Sequence, residues 1–286
     1  MRLDTPDHFD VLVIGAGPAG TSAALRAAEL GARVAVLEAE RTGGTCVNTG
    51  CVPTRVLAKT ARLAREVRIA HRWGLAVSDP VIDWPSTVSR VRATVDEVRE
   101  LKSEPERFAR AGIELVLEGR ARFADATTLE LATGRRLTGD SIIVAVGGHS
   151  RPLPVPGAEL ATVPEHVLDL PSLPDRVAII GAGNTGAQLV TVFSAFGSQV
   201  TLLDVAPRIL AVADEQISDA VGAAFAEQGV ALHAGIETVD GLARADDGSI
   251  TLTWREAGTA VSGSFDAVVM ATGWPADVES LSLIHI

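Results

Sequence analysis

The chain has no tyrosine, 4% aromatic residues and only two cysteines in 286 residues. Two cysteines cannot build the multi-bridge framework of a small secreted domain. Nor is there an apolar run near the roughly 20 residues that a membrane-spanning helix needs, since stretches such as Val11–Ile14 and Val177–Ile180 are far shorter. Met1–Asp10 is polar and lacks the apolar segment of an export signal, which points to a cytoplasmic protein. Basic residues are outnumbered, 25 Lys+Arg against 36 Asp+Glu for a net charge of −11, and no basic patch offsets the excess. Neither nucleic acid nor an anionic membrane surface is an expected partner. What is present is a 47% hydrophobic content, enough for two packed domains and too much for intrinsic disorder.

The apolar run Val11–Ile14 leads into Gly15-Ala16-Gly17-Pro18-Ala19-Gly20, an Ala/Leu-rich helix to Leu30, and a second run, Arg33–Leu37, ending on Glu38. This is the pattern of a βαβ unit: Gly15, Gly17 and Gly20 permit a tight turn and close backbone approach, and the helix start aims unpaired N–H groups at a pyrophosphate. Glu38 is placed to accept hydrogen bonds from a ribose diol. The alternative is a glycine-rich turn that binds nothing. The unit recurs, however, as Arg176–Ile180, the loop Gly181-Ala182-Gly183-Asn184-Thr185-Gly186, a helix through Phe196, and Gln199–Leu203 ending on Asp204. Gly15 to Glu38 and Gly181 to Asp204 span the same offset, 23 residues. Two copies imply two dinucleotide sites, and an enzyme with two such sites usually passes electrons between cofactors. The expected fold is α/β with two Rossmann-like domains, each carrying a small β-meander.

Between the copies, Pro53–Ala70 reads as a helix with one buried face, and Val88, Val91, Val95, Val98 and Leu101 continue helical spacing on a second. From Ile113 to Val146 the pattern changes to short strands, including Thr127–Leu131 and Ser141–Val146, separated by Gly134 and Gly139. Ile250–Trp254 and Phe265–Met270 form a further strand group, while Pro152, Pro154, Pro156 and Gly157 read as a stiff linker.

Both cysteines fall in Gly43-Gly44-Thr45-Cys46-Val47-Asn48-Thr49-Gly50-Cys51-Val52-Pro53, at the mouth of a helix expected to start near Pro53. A helix N-terminus stabilises thiolate, the reactive form. The favoured reading is a redox-active disulfide, with the glycines admitting a flat cofactor ring. Two alternatives stand beside it: a pair of small buried hydrophobes, or half of a zinc site. Zinc would need two further Cys or His, and His71 is the only nearby candidate, so no metal site is expected.

With these residues assembled, the chain resembles the class I pyridine nucleotide-disulfide oxidoreductases, the family of dihydrolipoyl dehydrogenase, glutathione reductase and mercuric reductase. The resemblance rests on Gly15–Gly20, Gly43–Pro53, Val144–Gly157, Gly181–Gly186 and Ala271-Thr272-Gly273. It implies FAD along the first unit, with Gly43, Gly44, Thr45 and Gly147 beside it, and NAD(P)H on the second, with Gly273. Hydride would pass from NAD(P)H to the flavin and then to a Cys46–Cys51 disulfide. Cys51 would face the flavin and Cys46 would exchange with a small-molecule thiol, disulfide or metal ion. Asp204 favours NADH, since a carboxylate accepts from a 2′-OH and repels a 2′-phosphate. Gly197 and Ser198 offer no guanidinium, although Arg208 could blur the preference by folding back.

The chain departs from the family pattern in several places. Arg55 and Gln188 stand where relatives have a Lys–Glu pair near the flavin; together they would leave one permanent positive charge, expected to favour anionic reduced flavin and the Cys51 thiolate. Asn184 replaces a gating aromatic, and the first crossing reads Ala145-Val146-Gly147 followed by His149. The expected division is a partial FAD domain over 1–151, an NAD(P) domain over 152–275 and, over 276–286, either a return to the first domain or an extraneous tail. The interface domain that makes relatives homodimers is expected to lie outside this chain, His285 is not expected to replace the catalytic histidine it carries, and Leu281–Ile286 reads like vector sequence. A dihydrolipoyl-dehydrogenase-like or mercuric-reductase-like enzyme is therefore set against a nucleotide-binding module without turnover.

Overall fold

A computed structural model describes residues 7–281, which form two compact units: one from the residues up to Val52, Ala93–His149 and the segment from Pro275, the other from Pro53–Arg92 and Ser150–Trp274. Of the segment expected over 276–286, residues 276–281 belong to the first unit, with Leu281 2% exposed in the core with Phe9 and Leu12; residues 282–286, His285 among them, lie outside the described residues. Strand β1 (Asp7–Ile14), helix α1 (Pro18–Glu29) and β2 (Val34–Leu37) make the first βαβ unit. A short helix α2 (Gly44–Asn48) precedes α3 (Cys51–Ile69) and α4 (Trp84–Lys102), each of which has residues in both units. Helix α5 (Glu104–Arg110) and strands β3 (Glu114–Val116), β4 (Ala121–Phe123), β5 (Thr128–Leu131) and β6 (Arg136–Val144) complete the first unit.

Its sheet is ordered β3-β2-β1-β6-β5-β4, parallel over the first four strands and antiparallel through β6-β5-β4. Ile14 lies level with both Leu37 and Val144 in register, so Gly15, Glu38 and Ala145 emerge together at one edge. That shared edge is where a doubly wound sheet receives a ligand. The expected strand Ser141–Val146 is longer at its start and shorter at its end. Gly139 lies inside β6 instead of breaking it, because a Cβ there would come within 2.9 Å of the Leu12 side chain.

The second unit repeats the plan. Strand β7 (Arg176–Ile180), helix α6 (Asn184–Phe196), β8 (Gln199–Asp204), helix α7 (Glu215–Glu227), β9 (Ala231–Ala234) and β13 (Ala267–Met270) give a parallel sheet ordered β13-β7-β8-β9. Strands β10 (Thr238–Arg244), β11 (Ile250–Glu256) and β12 (Thr259–Phe265) form an antiparallel meander. The apolar run expected over Phe265–Met270 is split between β12 and β13 by Asp266, whose carboxylate accepts from the Arg176 backbone N–H (2.8 Å) and guanidinium (2.8 Å).

The helical stretch between the two βαβ copies packs on this second unit. Leu57, Ala61, Trp84, Val88 and Val91 share a core with Val177, Val190, Phe193 and Phe196, and the Trp84 indole donates to the Leu170 carbonyl at 3.0 Å. Leu101, expected on the same stripe, is 85% exposed: the buried face of α4 ends before it. The Pro152–Gly157 stretch is also more than a linker. Leu153 and Val155 pack against the core beneath the meander, the Leu242 N–H donates to the Pro156 carbonyl, and at Gly157 (φ +75°) a Cβ would lie 2.0 Å from the Leu242 oxygen. Proline stiffness there serves docking onto a sheet.

Candidate functional site

The first glycine loop follows from close packing. A Cβ on Gly15, at φ +103°, would lie 2.4 Å from the Ala145 carbonyl oxygen, and one on Gly20 would lie 1.8 Å from the Gly15 oxygen. Gly17 differs: its Cβ would find only the Gly44 Cα, at 3.7 Å. It caps α1 without any side-chain hydrogen bond to the helix, leaving the first-turn N–H groups open to an anion. The Glu38 carboxylate accepts from the backbone N–H of Ala16 (2.9 Å) and of Glu40 (2.9 Å), tying the loop to the end of β2.

The second loop matches it group for group. A Cβ on Gly181 (φ +104°) would sit 2.4 Å from the Ala271 oxygen, and one on Gly186 1.9 Å from the Gly181 oxygen; Gly183 has open space around it and caps α6 without a side-chain bond. Asp204 accepts from the N–H of Ala182 (2.5 Å) and of Ala206 (2.8 Å). The crossings read from the sequence, Ala145-Val146-Gly147 and Ala271-Thr272-Gly273, therefore abut the two loops at equivalent positions. Gly147 and Gly273 have positive φ, +73° and +139°, with space about each α-carbon. Arg208 turns to the Ala211 carbonyl, its Nη2 donating at 3.1 Å.

The cysteine stretch is built against the first loop. Gly43 and Gly44 both occupy the left-handed region, a Cβ on Gly44 would lie 2.8 Å from the Gly17 Cα, and the Gly43 N–H donates to the Ala16 carbonyl at 2.9 Å. Cys46 lies on α2, half-buried, and Cys51 begins α3, exposed; both are thiols. Thr45 accepts from the N–H of Thr49 (3.0 Å) and Gly50 (2.7 Å), turning the chain back between the cysteines. Helix α3 starts two residues before Pro53, which suits proline because a first-turn N–H has no partner inside the helix. No group of three or more His, Cys, Asp or Glu is placed to hold a metal among the described residues. Arg55 and Gln188 lie on α3 and α6, both exposed, with no hydrogen bond joining them among the described residues.

Four residues, Thr42, Asn48, Arg99 and Glu104, were not assigned a role from the sequence. Asn48 donates to the carbonyls of Gly44 (2.9 Å) and Thr42 (3.2 Å), and its own oxygen accepts from the Arg99 guanidinium (2.8 Å). Glu104, 4% exposed, lies beside the side chain of Thr42, also buried. Burial raises the Glu104 carboxyl above the ordinary Glu range, opposed by Lys102 and Arg107 and by the Thr42 hydroxyl, with Glu38 adding to the rise. Stability tied to that proton is complete below the ordinary Glu pKa and is lost as pH rises through the folded value. Glu104→Gln keeps a hydrogen-bond acceptor for Thr42 and removes the buried charge. The variant should therefore melt above the parent at about pH 8, with the gap closing toward about pH 4. A gap in Tm that is flat or widens on acidification would refute this.

Residues 9–284 match the family described as pyridine nucleotide-disulphide oxidoreductases. The chain is 30% identical over 284 residues to the dihydrolipoyl dehydrogenase of Zymomonas mobilis, covering 97% of this chain and 60% of that protein. It is 31% identical over 288 residues to the dihydrolipoyl dehydrogenase of Halobacterium salinarum (98% and 60% covered) and 31% identical over 292 residues to the mercuric reductase of Lysinibacillus sphaericus (99% and 51%). The chain thus spans about half to three-fifths of the length of these curated relatives. Among solved structures, the HOCl-induced flavoprotein disulfide reductase RclA of Escherichia coli shares the fold, with a TM-score of 0.79 at 24% identity over 96% of this chain and 58% of that one.

Proposed function

We propose, from the premise that the chain belongs to the pyridine nucleotide-disulphide oxidoreductase family, that it carries the cofactor and dithiol machinery of a flavoprotein disulfide reductase. That family uses FAD and NAD(P)H, and the two glycine loops fit them: Gly17 and Gly183 leave room at uncapped helix starts, where a pyrophosphate needs N–H donors. Gly15, Gly17, Gly20 and Glu38 would hold FAD with Gly43, Gly44, Thr45 and Gly147; Gly181, Gly183, Gly186, Asp204 and Gly273 would hold NAD(P)H. When bound, the two cofactors supply the two-electron relay. The observation that carries this reading is the seating of the cysteine stretch on the first loop, through the Gly17–Gly44 approach and the Gly43-to-Ala16 hydrogen bond.

Cys46 and Cys51 would then act as the dithiol. Against a disulfide substrate their two S–H bonds and the substrate S–S bond break, a Cys46–Cys51 bond forms, and two substrate thiols leave with the protons. Cys46 would be the exchanging thiol and Cys51 the one nearer the flavin. Arg55 and Gln188 would leave one positive charge beside the site in place of a neutral pair. A dihydrolipoyl-dehydrogenase-like acceptor suits this arrangement, with a metal ion as the mercuric-reductase-like alternative.

Asp204 has an oxygen lone pair left on each side after accepting from Ala182 and Ala206, enough for a ribose hydroxyl. NADH should therefore be the preferred donor, by about tenfold or more in kcat/KM over NADPH. Anaerobic titration of the FAD-loaded protein tests both points. Bleaching of the flavin band by NADH at lower concentration than NADPH supports the reading. Binding of both nucleotides without bleaching would leave a nucleotide-binding module, and a preference for NADPH would refute the role given to Asp204.

A further inference from the structure

The family motif ends at Pro53, yet the cysteine stretch is held by two side chains from far along the chain. Arg99, near the end of α4, reaches Asn48 through Nη2 (2.8 Å) and Nε (3.3 Å), and pairs with Asp96 at 2.7 Å. Glu104, at the start of α5, is buried on the Thr42 side chain. Between them Ser103 occupies the left-handed region, φ +44° and ψ +45°, which a non-glycine residue adopts only where the surroundings enforce it. The far side of this elbow is anchored: Phe108, one helical turn beyond Glu104, is fully buried in a core with Val13, Ala16 and Val36. The two contacts meet on one short piece of backbone, since Asn48 donates to the Thr42 carbonyl.

We infer that the α4–α5 elbow is a clamp that positions the dithiol loop, with Arg99 and Glu104 as positioning residues that set how readily Cys46 is presented. The inference rests on the proposed dithiol role, but the clamp itself is a matter of geometry. A loop pinned at Thr42 and Asn48 keeps Cys46 half-buried and on α2, four residues after one pin and two before the other. Releasing either pin leaves the Gly43-Gly44 hinge, with both glycines at positive φ, free to swing. Cys46 then meets bulk reagents more often and Cys51 less often.

Two measurements on the 286-residue chain test this. In a Cys51→Ser background, the rate of Cys46 alkylation by iodoacetamide should rise about tenfold in Arg99→Met and in Glu104→Ala, the equivalent of one charge-assisted hydrogen bond lost. With both cysteines present, equilibration with glutathione disulfide forms the Cys46–Cys51 bond and two molecules of glutathione. The constant for that exchange should fall by a similar factor in the same variants. Glu104→Gln and Thr42→Ser, which keep a polar group on each side of that contact, should restore both readings. Leu129→Ala, a core deletion elsewhere in the same unit, should lower the Tm and leave both unchanged. Should Glu104→Ala fail to fold, Thr42→Val removes the hydroxyl from the same contact on the loop side.

Alkylation rates within about twofold of the parent in Arg99→Met and Glu104→Ala or Thr42→Val would overturn the clamp, as would an equal effect from Leu129→Ala. Failure of the parent to form the Cys46–Cys51 bond at all would instead count against the dithiol reading, while the alkylation rates still decide the clamp.

Discussion

Gly20→Ala and Gly186→Ala are expected to destabilise their units by more than about 3 kcal/mol each, enough to unfold them partly at 37 °C in a protein of ordinary marginal stability. The cause is the backbone itself: the new methyl carbon would stand 1.8 Å and 1.9 Å from the carbonyl oxygens of Gly15 and Gly181. Neither oxygen can move away alone, because the neighbouring amides are committed. Gly15 donates to the Leu37 carbonyl and Gly181 to the Leu203 carbonyl, both at 2.7 Å, and each turn sits under a crossing peptide at Ala145 or Ala271. The middle glycines provide the contrast. Gly183→Ala meets open space at φ −74°, and Gly17→Ala meets the Gly44 Cα at an ordinary 3.7 Å. These should fold with a Tm close to the parent and lose nucleotide affinity, by about 100-fold for a methyl placed where a pyrophosphate must approach. Thermal melts together with nucleotide titration check both halves. Equal stability loss in the Gly186 and Gly183 variants would contradict the packing account, and undiminished NADH binding to a folded Gly183→Ala chain would contradict the cradle.

Cys51→Ser and Cys46→Ser should each reduce NADH-driven disulfide reduction by about a thousandfold or more in the complete protein, since removal of either sulfur prevents the intramolecular S–S bond from forming. Nucleotide binding should be untouched: the cysteines lie outside both glycine loops, and serine is a close steric match. The two variants should also differ from one another. Cys51→Ser retains the half-buried Cys46 and should form a mixed disulfide with a disulfide substrate, whose other half leaves as thiol; Cys46→Ser retains the exposed Cys51. Mass spectrometry of each variant after exposure to an aromatic disulfide reads the adducts. Activity within about tenfold of the parent in either variant would remove the dithiol from the account.

How much of this was legible in the sequence depends on range. The glycine loops, the acidic residues 23 positions on and the parallel strands beside them follow from local patterns, because the loop-to-carboxylate contacts at Ala16–Glu38 and Ala182–Asp204 fall within one βαβ unit; only the crossings at Ala145 and Ala271 come from beyond it. Elements lacking a clean period were not legible. Strand β10 carries a bulge between Val239 and Gly241, the latter at φ +156°, which breaks alternation. Helix α7 buries only Ser218 and Phe225, too little for a stripe. Helix α5 spans seven residues, and β4 only three. Docking was invisible for another reason: Pro152–Gly157 has linker composition, and only the Leu242 N–H on the Pro156 carbonyl and the core that takes Leu153 and Val155 show that the stretch is packed. The clamp at Thr42 and Asn48 depends on partners more than fifty residues away, with Arg99 and Asn48 51 apart. No motif within the cysteine stretch announces them.

NADH should reduce a Cys46–Cys51 disulfide through the bound flavin. The most direct measurement is a thiol titration on denatured protein, taken from the FAD-loaded, fully oxidised chain before and after anaerobic addition of NADH. The account predicts no titratable thiol before NADH and two after, since the chain has only two cysteines. Two thiols in the oxidised protein, or none appearing on reduction, would contradict it.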